Sequence, residues 1–179
     1  MIDHQVLYLE VPDREIFDPR TSEFTYVKGQ KLKLMHSLVS LSKWESKWHK
    51  PFLTKENKTA EETRDYIRCM TITQNVDPNV YLGLTDANIR EVMEYIDSPM
   101  TATKFRQDQP GGRNTGQFIT SELIYYQMAV AQIPFSCETW HLNRLLVLLR
   151  IFSSKNAPAK KMSRSERQAL MARRRARKH

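Results

Sequence analysis

Thr59-Ala60-Glu61-Glu62-Thr63-Arg64-Asp65-Tyr66-Ile67-Arg68-Cys69-Met70 is the stretch that decides the fold. The Thr59 hydroxyl can accept from the Glu62 amide while the Glu62 carboxylate reaches back to the Thr59 amide, which is a capping box and marks a helix start. Thr63, Tyr66, Ile67 and Met70 then recur at i, i+3, i+4 and i+7, one stripe of a helix with a buried face. The pattern returns downstream. Thr85-Asp86 opens a second helix, Ile89, Val92, Met93 and Ile96 form its stripe, and Ser98-Pro99 ends it.

Working outward, helical patterning begins near residue 38. Leu41, Trp44 and Trp48 fall on one face, Ser42 with Glu45 gives a possible cap, and Pro51 closes the segment. Two helices are expected in the C-terminal half, from about Ser121 to Gln132 and from about Ser136 to Phe152. The run Leu145-Leu146-Val147-Leu148-Leu149 is apolar all round, so the last helix is expected at the centre of the core, with Trp140 beside it. Residues 106–117 are polar and glycine-rich and read as a mobile connector.

The first 36 residues carry a different period. Val6–Val11 is a strand-sized run, apolar on both faces, ended by Pro12. Glu15-Ile16-Phe17 stops at Asp18-Pro19. Phe24–Val27 is rich in aromatic and β-branched residues, and Lys31–Met35 alternates with period two. The expected architecture is α+β, mainly α: a small N-terminal antiparallel β element (1–36) packed on a bundle-like helical body (37–154), then a basic tail (155–179) that is flexible or helical.

Charge divides the chain at the same place. The whole protein of 179 residues has a formal charge of +8. From Lys155 onward ten basic residues face one acid, whereas the preceding 154 residues hold 18 basic and 19 acidic side chains. The body is therefore nearly neutral and the tail strongly cationic. Lys160, Lys161, Arg164, Arg167, Arg173, Arg174, Arg175, Arg177 and Lys178 are candidate contacts to a partner or to phosphates. No aromatic residue or glycine accompanies them, so nothing there suggests base readout.

Chemistry-bearing constellations are sparse. Cys137 and His141, four residues apart on the expected last helix, would share a face as a thiol–imidazole pair, but no orienting third group stands out. The five histidines are scattered and no C-x-x-C, H-x-x-x-H or HExxH spacing occurs. Gly111-Gly112 lacks the order of a phosphate-binding loop. Trp44 and Trp48 stand among Lys43, Lys47, His49 and Lys50. Aromatic and basic residues interleaved in this way can bind single strands, yet Leu41 continues their stripe and favours inward packing. No catalytic residue, cofactor or metal is expected. Two cysteines fit a reducing compartment. No signal peptide or membrane span is visible.

Longer motifs add a resemblance. They are His36-Ser37-Leu38-Val39-Ser40-Leu41-Ser42-Lys43-Trp44-Glu45, Lys47-Trp48-His49-Lys50-Pro51-Phe52-Leu53, Asp65-Tyr66-Ile67-Arg68-Cys69-Met70, Asn75-Val76-Asp77-Pro78, Tyr95-Ile96-Asp97, Pro99-Met100-Thr101-Ala102-Thr103, Trp140-His141-Leu142-Asn143-Arg144-Leu145, Ser154-Lys155-Asn156-Ala157-Pro158 and Lys160-Lys161-Met162-Ser163. Across most of residues 30–165 the chain resembles the tail assembly chaperones of tailed phages that infect Gram-positive hosts. The resemblance implies a non-catalytic factor in the host cytoplasm that binds and solubilises the tape measure protein and helps recruit the major tail protein. It would self-associate in some cases and be absent from the mature virion. The alternatives are a nucleic-acid-binding phage protein acting through the basic tail, or a structural tail or adaptor protein of the virion.

Overall fold

A computed structural model describes residues 5–18, 22–103, 119–156 and 168. The polar stretch 106–117 and the candidate contact residues of the basic tail lie outside the described residues. The fold is α+β and mainly α. Four strands, β1 (Leu7–Val11), β2 (Arg14–Asp18), β3 (Glu23–Val27) and β4 (Gln30–Leu34), precede five helices. These are α1 (Leu38–Trp48), α2 (Ala60–Met70), α3 (Asp86–Asp97), α4 (Ser121–Val130) and α5 (Leu142–Asn156), with 3-10 turns at Pro78–Leu82 and Phe135–Thr139.

The strands make one bent antiparallel ribbon. β1 pairs with β4 and β2 with β3. Val11 faces Gln30 and Arg14 faces Val27, so two residues on each side separate the ladders and the register is kept across the bend. Pro12 lacks the N–H a ladder needs. Opposite it, a Cβ on Gly29 would lie 2.4 Å from the Val11 carbonyl oxygen, so only glycine allows this approach. Asp13 Oδ1 accepts the Gly29 N–H at 2.6 Å and fixes the corner. Before the bend, Leu9, Val11, Leu32 and Leu34 are buried while Tyr8, Glu10, Lys31 and Lys33 face outward. β1 thus buries one face only, and its other face, Tyr8 included, meets solvent rather than a second layer.

Helix starts follow local chemistry. Thr59 caps α2 and Thr85 caps α3, each with a reciprocal box, as the sequence predicts. α1 starts at Leu38, as the patterning predicts, but Ser37, paired with Ser40, caps it rather than Ser42 with Glu45. It ends at His49, whose left-handed conformation lets its N–H bond the Glu45 carbonyl.

Two apolar cores flank α1. One gathers Leu9, Val11, Leu32 and Leu34 of the ribbon with Trp44, Tyr66, Ile67, Met70, Val80, Tyr81 and Val92. The other gathers Leu38, Leu41, Ile124, Met128, Cys137, Leu142, Leu145 and Leu149. Leu38 and Leu41 look into the second core and Trp44 into the first, which splits the single stripe read from the sequence. The central element is therefore α1. The apolar run of α5 lies at the periphery, burying Leu142, Leu145 and Leu149 along one side and leaving Leu146, Val147 and Leu148 half-buried. Trp140 is likewise half-buried. Met93 is exposed, since α3 turns only Asn88, Val92 and Tyr95 fully inward.

Candidate protein interface

The chemistry that the sequence proposes for Cys137 and His141 does not assemble. The continuous helix expected over 136–152 is broken at Trp140-His141. Cys137 lies in the 3-10 turn, and His141 forms an isolated β-bridge with Ser37. Leu142 N–H donates to the His36 carbonyl at 2.8 Å, so long-range pairing replaces the local helix there. Both ring nitrogens of His141 are engaged: Nε2 bonds the Tyr95 carbonyl at 3.2 Å and Nδ1 accepts the Asn143 N–H at 3.3 Å.

His141 belongs instead to a buried polar cluster that joins the ribbon, α1, α2, α3 and α5. His36 Nδ1 bonds the Tyr66 hydroxyl at 2.6 Å, and the His36 N–H donates to the Tyr95 hydroxyl at 3.0 Å. Tyr95 in turn donates to the Gln5 carbonyl at 2.6 Å. The rings of His36 and His141 meet edge to face, 5.1 Å apart. Burial, reinforced by His141, drives the His36 pKa down to about 3, and burial lowers that of His141 as well. Burial also pushes the Tyr66 hydroxyl well above the ordinary tyrosine range. A neutral His36 then accepts from Tyr66. No buried side-chain nitrogen or oxygen among the described residues lacks a hydrogen-bond partner, and this cluster is a junction within the fold.

The tryptophans of α1 pack inward. Trp44 Nε1 donates to the Glu62 carbonyl at 3.0 Å, and Trp48 Nε1 donates to Asp65 Oδ2 at 2.9 Å. Asp65 also accepts from Lys47 at 2.5 Å and Arg68 at 3.1 Å. Burial disfavours its charge, but the hydrogen bonds from Lys47 and Trp48 outweigh that and hold Asp65 below the ordinary carboxylate range. Lys47 is thereby committed to the fold, and the stacking platform for single strands is not formed. Among the described residues no group of three or more His, Cys, Asp or Glu side chains is placed to hold a metal. No helix among them is long and apolar enough to cross a membrane.

What the molecule does present is exposed apolar surface in two places. The first is α4. Ile124 and Met128 point into the second core, whereas Tyr126 is 66% and Val130 57% exposed. These two are one turn apart and share a face. Phe135, in the turn that follows, and Ile119, just before the helix, are exposed as well. The helix is held rigidly. Ser121 N–H donates to Glu45 Oε2 at 2.7 Å, the Thr120 hydroxyl caps it, and Tyr125 donates to Glu138 Oε2 at 2.8 Å. Burial and that carboxylate push the Tyr125 pKa up to about 12.

The second place is the outer half of the ribbon. Phe17, Phe24 and Tyr26 share one face of β2–β3, and Phe24 and Tyr26 are 71% and 61% exposed. The Phe17 and Phe24 rings are cross-strand neighbours with centroids 5.0 Å apart. Sequence reasoning passes over both surfaces. Their signal is present in it, however: α4 is apolar on all sides, more than a one-sided helix needs, and β2–β3 carries aromatics without a second apolar stripe to pack on.

Comparison with family models, with curated proteins and with solved structures returns no significant match.

Proposed function

We propose that this protein is a non-catalytic tail assembly chaperone of a phage. It binds and solubilises the tape measure protein in the host cytoplasm and assists recruitment of the major tail protein. The observation that carries this reading is the outward apolar face of α4. A helix pinned at its start by a buried carboxylate and at its middle by Tyr125–Glu138 presents Tyr126 and Val130 to solvent. Such a face suits an amphipathic helix of a partner, which would lay its own apolar stripe along it. The neutral body supports recognition by shape and apolar area, leaving the salt-sensitive contribution to the tail beyond Lys155. Co-expression of the full chain with the tape measure protein of its phage tests this. A soluble complex that survives purification is the expected result, and an insoluble tape measure protein that fails to co-purify would overturn it.

A further inference from the structure

The outward side of α4 is not uniform. Glu122, Tyr126 and Val130 stand four residues apart and form one ridge of the helix, each about 6 Å along the axis from the last. All three are exposed. Ala129, exposed beside Val130, leaves room for a second helix to come close. The ridge is therefore apolar over its later part and carries one carboxylate at its beginning.

That carboxylate is ionised and has no cation of its own. Its main-chain N–H and the Thr120 and Ser121 hydroxyls hold Glu122 below the ordinary carboxylate range. No ion pair reaches it among the described residues. Lys50, the one lysine or arginine lining the same cleft, is held by Glu62 at 2.7 Å. From Ile119 to Asn143 the chain has no lysine or arginine, and the other acid of that stretch, Glu138, accepts from Tyr125. The surface of α4 thus offers apolar area, one free negative charge at its margin and no positive charge.

We propose that α4 receives a helix of the tape measure protein running antiparallel to it, bearing two large apolar residues four apart and a lysine or arginine four residues further on. This rests on the reading of α4 as the tape-measure surface. The apolar pair covers Val130 and then Tyr126, and the cation reaches Glu122. An acid at the third position would meet Glu122 as a like charge, which selects against such a helix. The direction follows from the charge. A helix's own dipole favours a cation in its last turn and disfavours one in its first. Only an antiparallel course sets the last turn of the incoming helix beside the start of α4.

Overlapping peptides that tile the tape measure protein, each of about 20 residues and so long enough for about five helical turns, test this when probed with the full chain. The peptides retained are expected to carry the spacing of two apolar residues and a cation. Against the tightest of them, Glu122→Gln should weaken binding about threefold and Glu122→Lys about tenfold at low salt, with unchanged circular dichroism spectra. Replacing the peptide's cation by Glu should restore binding to the Glu122→Lys chain. An array that retains no peptide, or retains peptides without the spacing, would overturn the proposal. So would binding indifferent to both Glu122 variants, or a charge-swapped pair that stays as weak as the single change. A tape measure protein that still co-purifies in any of these cases leaves the proposed function standing, whereas loss of that complex from the wild type removes both.

Discussion

The Ser121 N–H and the Glu45 carboxylate are joined at 2.7 Å, across 76 residues of sequence. Glu45 is buried in the last turn of α1, and its other oxygen accepts the Phe52 N–H at 2.8 Å. One carboxylate thereby satisfies a free amide at the start of α4 and fixes the chain leaving α1. Its charge also lies where the dipole of α4 favours an anion.

Replacing Glu45 by Ala leaves two amides without their acceptor, that of Ser121 buried and that of Phe52 half-buried. Each orphaned buried group costs about 1–3 kcal/mol, so Glu45→Ala should lose about 3 kcal/mol in urea unfolding. A loss below about 0.5 kcal/mol, the range of ordinary surface changes, would show that Glu45 does not anchor α4.

Acid should loosen the His36–His141 junction before the carboxylates titrate. An unfolded histidine takes up its proton near pH 6.5, whereas folded His36 resists until about pH 3. The folded pKa is depressed, so the stability is present above about pH 6.5 and is lost as pH falls towards 3. The loss runs at about 1.4 kcal/mol per pH unit for one histidine. His141 is shifted in the same direction and adds to it. Urea midpoints at pH 7 and pH 5.5 measure this: the midpoint should fall at the lower pH. Equal midpoints would contradict a neutral buried pair.

The position of α5 gives a comparison within one helix. Leu145 is buried in the second core, and Leu148 is half-buried at its edge. Leu145→Ala should cost about 2–5 kcal/mol through transfer and cavity terms, and Leu148→Ala about 1 kcal/mol. Equal losses, measured by chemical denaturation, would mean that α5 is the central helix after all.

That last contrast marks how far the sequence could be read. The capping boxes at Thr59 and Thr85 and the period-two run at Lys31–Met35 are local signals, and they place α2, α3 and β4 correctly. The break at Trp140-His141 has no local signal. No proline or glycine stands there, and the cause is a long-range bridge to Ser37 and the hydrogen bond from Leu142 to His36. The division of α1 between two cores is equally non-local. Leu41 and Trp44 are neighbours on a helical wheel, and only the elements packed on either side separate them. The exposed faces of α4 and of β2–β3 went unread because hydrophobic periodicity finds what is apolar and does not say which of it is covered.

The α4 face is where the proposed function is most exposed to test. Tyr126→Glu/Val130→Glu changes two outward side chains and leaves Ile124 and Met128 in the core. The variant should therefore keep its stability to within about 0.5 kcal/mol per substitution. Co-expressed with the tape measure protein, it should be recovered alone, with the tape measure protein left insoluble. Recovery of the complex at the wild-type yield would contradict the account.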